Sequence, residues 1–244
     1  MKGGIALRGE GICKSFNGKT VLDDLCISVS CGELLAIIGP SGVGKTTLLK
    51  ILNGLLEPER GDVYFMNRSL KFENDRDLES RRRMALLSQE PYPLLKSVWD
   101  NVAYPLELRN KNDIDDKVAD ALEHVSLLDF SDRKASTLSS GELQRMAFAR
   151  ATVFEPDVLL LDEFTAHLDP YNISVLEDAV DWYLKEKNAA VIMVTHNLFQ
   201  AERISESTAF LFDGEIVERD RTEKIFDEAE DDRTQAFVKG EMVF

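Results

Sequence analysis

Nothing in the 244 residues approaches the ~20 consecutive apolar residues of a bilayer-spanning helix, so work at a membrane requires a partner that spans it. The opening stretch, Met1 to Glu10, has too short an apolar core for a secretory signal, and a cytoplasmic protein is expected. Cysteine is scarce: Cys13, Cys26 and Cys31 are an odd, scattered set with no C-x-x-C pair and no neighbouring histidine. Reduced thiols on strands are expected, and no metal site, since the local sequence lacks a fourth ligand for a tetrahedral one. Positive charge is also short. Against 44 Asp and Glu stand 29 Lys and Arg, a net charge of −15. That balance argues against nucleic acid as a main partner, because phosphate backbones are held by Lys/Arg surfaces. The compact basic cluster Arg81-Arg82-Arg83 is expected to be solvated or paired within the chain, and the acidic run Asp227 to Asp232 to be a solvated helix end and loop. No internal repeat and no low-complexity linker divide the chain, which is long enough for one domain with an inserted lobe.

What is there centres on Gly39-Pro40-Ser41-Gly42-Val43-Gly44-Lys45-Thr46-Thr47. It fits G-x-x-x-x-G-K-[ST], the phosphate-binding loop. The preceding Leu34 to Ile38 is apolar and β-prone, as in a buried parallel strand, and Thr46 to Leu52 continues as a helix. A strand feeding a glycine-rich turn into a helix N-terminus lets successive N–H groups converge on an anion, aided by the helix dipole. Lys45 is expected to supply a point charge to the terminal phosphates, and Thr46 Oγ to sit on Mg²⁺. The loop predicts a bound nucleoside triphosphate and leaves open what its energy drives.

Before the loop, Ile5 to Ser30 shows short β-like runs broken at Asn17-Gly18 and Asp23-Asp24, predicting antiparallel strands beside the main sheet. Phe16, at the edge of the first turn, is either a core residue or a platform for a nucleotide base. Beyond the loop, a helix ends near Asn53-Gly54 and a short strand follows at Asp62 to Met66. Met84 to Ser88 is a second buried strand, followed by irregular chain at Gln89 to Leu95, where two prolines intervene. From Ser97 to about Thr152 the apolar spacing is helical, with Ile114, Val118, Leu122 and Val125 on one face and Ser139 opening a further helix. Strands then return at Asp157 to Asp162, Ala189 to Val194, Thr208 to Phe212 and Ile216-Val217, with helices at about Tyr171 to Lys187 and after Asn197. The expected class is α/β, with a mostly parallel sheet.

The aliphatic strand that ends in Asp162-Glu163 carries a second piece of chemistry. Adjacent residues at a strand end point in different directions, so Asp162 can hold Mg²⁺ and Glu163 can act as base for the attacking water. Leu138-Ser139-Ser140-Gly141-Glu142 lies just upstream, and His196 follows the next strand within Val194-Thr195-His196-Asn197. With Gln89 and Leu168-Asp169, these motifs resemble the ATP-binding cassette family in order and spacing, over essentially the whole chain.

The resemblance implies a P-loop NTPase core spanning 1–88 and 156–244, an antiparallel β subdomain, and an inserted helical subdomain at 89–155, all within one domain of 1–244. It implies ATP and Mg²⁺ as ligands. Phe16 matches the aromatic that stacks on adenine. Gln89 matches the glutamine that reaches Mg²⁺ and the water and senses the membrane partner. Ser139 and Gly141 match signature residues that touch the γ-phosphate of ATP on an opposite copy, which a serine N-cap at a helix start suits physically. His196 matches the histidine that contacts the γ-phosphate and steadies Glu163. Asp169 matches a residue of cross-talk between two sites. A head-to-tail homodimer with two ATP molecules at its seam is implied, together with membrane permease subunits and an extracytoplasmic solute-binding protein. The ATPase would sit on the inner face of the cell membrane.

The chain departs from the usual pattern at four positions. Ser140 and Glu142 replace Gly and Gln of the signature, adding a Cβ and a negative charge near a nucleotide. Phe164 and His167 lie where the family has Pro and Ala; His167 is a pH sensor at the seam or, by preference, a packing residue. Tyr92 to Leu95 is apolar and aromatic, suited to receive a helix from a membrane subunit. Ser97 to Pro105 resembles phosphate and other oxyanion importers, and Thr234 to Phe244 resembles the ending of tungstate-type importers. An importer ATPase for tungstate, molybdate or phosphate is the expectation. The alternatives are a polar amino-acid importer and a soluble ATPase of iron–sulphur cluster assembly. DNA-repair and translation types need coiled-coil or zinc insertions, or a second cassette, which this chain lacks.

Overall fold

In the computed structural model, which describes residues 3–70 and 78–242, the chain begins with two long strands, β1 (Ile5–Phe16) and β2 (Lys19–Ser30), joined by a tight turn at Asn17-Gly18. Asp23-Asp24 does not break β2. Asp24 takes a left-handed φ of 48° inside the strand, and its N–H donates to Cys13 Sγ, so an irregularity in register absorbs the poor strand formers. With β4 (Arg60–Phe65) and β5 (Arg68–Ser69) these strands form an antiparallel sheet of order β2-β1-β4-β5. Cys13 is buried on β1, Cys26 exposed on β2 and Cys31 just past β2, all as free thiols.

The second sheet holds β3 (Leu34–Ile38), β6 (Met84–Leu87), β7 (Val158–Asp162), β8 (Ala190–Val194), β9 (Ser207–Phe212) and β10 (Glu215–Arg221), in the order β10-β9-β3-β8-β7-β6. All pairs are parallel except the hairpin of β9 and β10. β3, β7 and β8 are buried at every position, as expected for strands covered on both faces. Their alternate residues enter two different cores. Leu34, Ala36, Ile38, Leu159, Leu161 and Met193 face one, while Leu35, Ile37, Leu160, Ile192 and Val194 face the other.

The second of these cores is closed by the antiparallel sheet and by α1 (Lys45–Leu52), whose chain turns at Gly54 with a left-handed φ of 71°. After α2 (Leu78–Arg81), three α-helices separate β6 from β7: α3 (Val98–Leu108), α4 (Ile114–His124) and α5 (Ser140–Thr152). Their apolar faces, including Val102, Leu122 and Phe148, join the same cluster as the sheet and α6 (Pro170–Lys187), so the helical block shares the core of the sheet. α7 (Leu198–Ile204), α8 (Thr222–Asp227) and α9 (Asp232–Val238) complete the chain. The tail resemblance runs past them to Val243 and Phe244, which lie outside the described residues. Arg83 of the basic cluster forms a two-pronged pair with Asp157, at 2.6 and 2.9 Å. Among the described residues, no helix is long and apolar enough to cross a membrane.

Candidate nucleotide site

Parallel strands end on the same edge of a sheet, and this edge gathers the chemistry. Ile37 of β3 and Asp162 of β7 both pair with Val194 of β8, so three strand ends lie abreast. The backbone sews them further: Glu163 N–H donates to Val194 O at 3.0 Å and Thr195 N–H to Ile37 O at 3.3 Å. β6, paired in parallel with β7 through Leu87 and Leu161, delivers Gln89 to the same edge.

The loop from Gly39 to Thr47 leaves β3 and becomes α1 at Lys45. Gly44 is the residue before the helix, with φ 111°, and a Cβ there would stand 2.8 Å from Val21 Cγ1. Only glycine combines that conformation with that approach. No side chain caps α1, so the N–H groups of its first turn are free for an anion. Pro40, Ser41, Gly42 and Val43 form the rim, with Ser41 and Gly42 exposed, while Lys45 is only 5% exposed. Lys45 Nζ donates to Gly39 O and Pro40 O, each at 2.8 Å. Burial pulls its pKa down, and the charges of Glu163 and Asp162 oppose that pull. A cation held only by two neutral carbonyls is poised for a stronger acceptor.

Thr46 Oγ1 donates to Asp162 Oδ1 at 3.0 Å. Asp162 is 7% exposed; its burial raises its pKa, the Thr46 bond lowers it and Glu163 raises it again. A buried carboxylate beside a hydroxyl is a hard-oxygen donor set that fits Mg²⁺. Glu163 turns away from Asp162 through a left-handed φ of 47°, and its Oε2 meets His196 Nδ1 at 2.9 Å. Gln89 is not hydrogen-bonded to Thr46 or Asp162. It is exposed, on the wall of a cavity of about 270 Å³ shared with Ser140, Gln144 and His167. His167 is exposed with φ 61° on the wall of that cavity, whereas Phe164 is 1% exposed and enters the core. Phe16 ends β1 and is 44% exposed, which takes it out of the core, and Lys14 Nζ lies 5.7 Å from the ring centroid.

The other expected site element is the start of α5. Ser139 is its N-cap and forms a capping box: Glu142 N–H donates to Ser139 Oγ, and Ser139 N–H donates to Glu142 Oε2 at 2.7 Å. Ser139 Oγ also bonds Glu142 Oε2 at 2.8 Å. Ser139 and Ser140 are exposed, and Gly141 is buried. Asp169 caps α6 by accepting from the N–H groups of Tyr171 and Asn172.

Sequence patterns passed over two groups of residues that hold this edge. Gln200, 1% exposed, accepts from Thr165 Oγ1 and Thr195 Oγ1 and donates to Glu177 Oε1, tying the loops that carry Glu163 and His196. Arg145 and Asn172 join α5 to α6. The signal for Asn172 was its place three residues after the Asp169 cap, where a side chain reaches back to the helix start; for Gln200 no local pattern existed.

A family model described as ABC transporter matches residues 22–166. A phosphate import ATP-binding protein of Natronomonas pharaonis is 38% identical over 96% of this chain and 86% of its own length. A tungstate uptake system ATP-binding protein of Peptoclostridium acidaminophilum is 37% identical over 85% of this chain and 94% of its own. Among solved structures, cbiO1 of Clostridium perfringens, part of an ABC transporter complex, superposes with a TM-score of 0.84 at 27% identity, covering 92% of this chain and 91% of that one. A dimeric ATP-binding cassette in a post-hydrolysis state, bound to ADP and Pi, superposes with a TM-score of 0.79 at 27% identity, covering 88% of this chain and 98% of that one. The chain belongs to the ABC transporter family as one of its ATP-binding, ATP-hydrolysing subunits.

Proposed function

We propose that this subunit powers import of a small oxyanion such as phosphate, tungstate or molybdate, through permease subunits that span the membrane. The observation that carries the reading is the near full-length match to relatives named for phosphate import and tungstate uptake, together with a probable anion import protein of Haloferax volcanii that is 35% identical over 98% of this chain. The subunit works at the inner face of the membrane, in a complex that also includes an extracytoplasmic solute-binding protein.

Two copies join head to tail, so that Gly39 to Thr47 of one copy and Ser139 to Gly141 of the other hold one ATP between them. Phe16 stacks on the adenine. Lys45 exchanges Gly39 O and Pro40 O for the β- and γ-phosphate oxygens. Thr46, Asp162 and Gln89 would hold Mg²⁺, which would supply charge neutralisation on the phosphates. The Glu163 carboxylate accepts a proton from water as the water oxygen attacks the γ-phosphorus and the bond to the β-phosphate oxygen breaks, giving ADP and phosphate. His196 Nδ1 keeps Glu163 Oε2 in place for that transfer. Asp169 carries the state of one site to the other.

The permease docks in an open groove of about 400 Å³ lined by Tyr92, Leu94, Tyr104, Leu108, Arg109 and Arg150. Arg150 donates to Tyr92 O and Asn101 Oδ1, and burial lowers its pKa. Arg109 lies 3.9 Å over the Phe154 ring, and its pKa is also lowered by burial. Two desolvated cations in an apolar groove suit a permease helix that presents a carboxylate.

Reconstitution with the permease tests the reading. ATP-dependent uptake of labelled phosphate, tungstate or molybdate into proteoliposomes is expected, and Lys45→Ala should abolish it by loss of nucleotide binding. Uptake of polar amino acids with no oxyanion uptake would overturn the substrate class.

A further inference from the structure

One side chain locks the first turns of α5 and α6 together. Asn172, 9% exposed, donates from Nδ2 to Asp169 Oδ2, and its backbone N–H donates to Asp169 Oδ1 at 3.1 Å. Its Oδ1 accepts from Arg145 Nε at 2.8 Å. The amide cannot flip usefully, because one end faces a pure donor and the other a pure acceptor. Arg145, 5% exposed, is itself anchored by Nη1 to Val125 O at 2.6 Å and Ser126 O at 3.0 Å, just past α4. The amide also presses on α5. A Cβ at Gly141 would stand 2.3 Å from Asn172 Nδ2 and 2.4 Å from its Cγ. The backbone of Gly141 is ordinary helix, so it is the Asn172 amide, and not a special conformation, that requires glycine there.

We infer that Asn172 is a positioning residue that fixes the signature turn, Ser139 to Gly141, relative to Asp169, so that both meet the opposing copy's nucleotide as one rigid element. This rests on the head-to-tail dimer proposed above. Asn172 lies against elements that face the seam, and its bonds run to Asp169 and Arg145. Its loss should therefore weaken closure of the pair while leaving nucleotide binding to the subunit's own loop intact. Removing the amide strands a buried arginine Nε, which costs about a hydrogen bond's desolvation.

The experiment uses the full chain with Glu163→Gln, so that hydrolysis does not reverse closure. ATP-driven dimerisation is read by sedimentation velocity, and nucleotide affinity by a fluorescent ATP analogue under dilute, monomeric conditions. Adding Asn172→Ala is expected to raise the dimer dissociation constant on the order of tenfold, with nucleotide affinity within about twofold. Gly141→Ala alone should abolish dimerisation, and Gly141→Ala with Asn172→Ala should restore it in part, because the clash is gone. A merely structural asparagine would lower stability without raising the dimer dissociation constant. Should Asn172→Ala fail to fold, Asn172→Ser, whose hydroxyl is too short for both partners, carries the same comparisons. Unchanged dimerisation in the Asn172 variant, or no rescue of Gly141→Ala, overturns the inference while leaving the dimer standing. If the Glu163→Gln parent itself fails to dimerise with ATP, the dimer and this inference fall together.

Discussion

His196 Nδ1 lies 2.9 Å from Glu163 Oε2, across two loops that leave neighbouring parallel strands. The carboxylate accepts only, so Nδ1 is the donor of this pair. Glu163→Gln keeps an acceptor for Nδ1 and removes the base. Turnover should fall by about 10²–10⁴-fold with ATP affinity retained. Phosphate release and nucleotide binding measured on the same preparation check both halves. Normal hydrolysis by this variant would show that Glu163 is not the base.

Asp162 gives a prediction of opposite sign for stability and function. Burial raises its pKa, so its folded form favours the proton; any stability it contributes exists below its unfolded pKa and is lost as pH rises through the folded value. At neutral pH the charge is a cost, one that the proposed Mg²⁺ site would impose. Asp162→Asn keeps an acceptor for Thr46 Oγ1 and removes that cost. The variant should melt a few degrees higher in the absence of metal and lose Mg²⁺-dependent turnover. Equal or lower melting temperature at pH 7 would mean that Asp162 is not strained.

Gln200 should act on the chemistry without touching it. Gln200→Leu strands the hydroxyls of Thr165 and Thr195, which donate to its Oε1 at 3.0 and 3.1 Å. A loss of about 2 kcal/mol in stability is expected from two orphaned buried groups, less what side-chain rotation recovers. Because those threonines border Glu163 and His196, kcat should drop about tenfold while KM for ATP stays near its starting value. A change in KM with constant kcat would move the role of Gln200 elsewhere.

The phosphate loop was legible because each of its residues answers a local demand: Gly44 a left-handed turn against Val21, Lys45 a buried charge, and Leu34 to Ile38 a strand covered on both faces. Asp162, Glu163 and His196 were legible because a parallel sheet brings carboxyl ends of strands to one edge whatever lies between them in sequence. Asp23-Asp24 misled because strand propensity is local, whereas the hydrogen bond from Asp24 N–H to Cys13 Sγ that holds the irregular strand comes from another strand. Arg145 and Gln200 were silent for the same reason. Arg145 reaches Val125 O and Asn172 Oδ1, 20 and 27 residues away, and Gln200 reaches Thr165 Oγ1 and Glu177 Oε1, 35 and 23 residues away; no spacing rule links such pairs.

Glu142 is where sequence and structure together predict a gain. Ser139 N–H donates to its Oε2 and Ser139 Oγ also bonds that oxygen, while Arg133 Nη1 lies 3.5 Å from Oε1. The bond from the Ser139 backbone does most to hold its pKa below the usual carboxylate range, so it is charged at neutral pH. That charge steadies the helix start, a contribution present above the unfolded pKa and lost as pH falls through the folded value. It also occupies the Ser139 hydroxyl and, in the head-to-tail dimer proposed above, would set a negative charge beside the opposing γ-phosphate. Glu142→Gln preserves the capping geometry and removes the charge. Stability at pH 7 should fall by a few tenths of a kcal/mol, the exposed-site value of a charge at a helix end. ATP-driven dimerisation in the Glu163→Gln background should tighten about fivefold, since roughly 1 kcal/mol of repulsion is relieved. The two measurements move in opposite directions, which separates a gate on the seam from an ordinary cap. If melting temperature and dimer affinity fall together, Glu142 is a cap and nothing more.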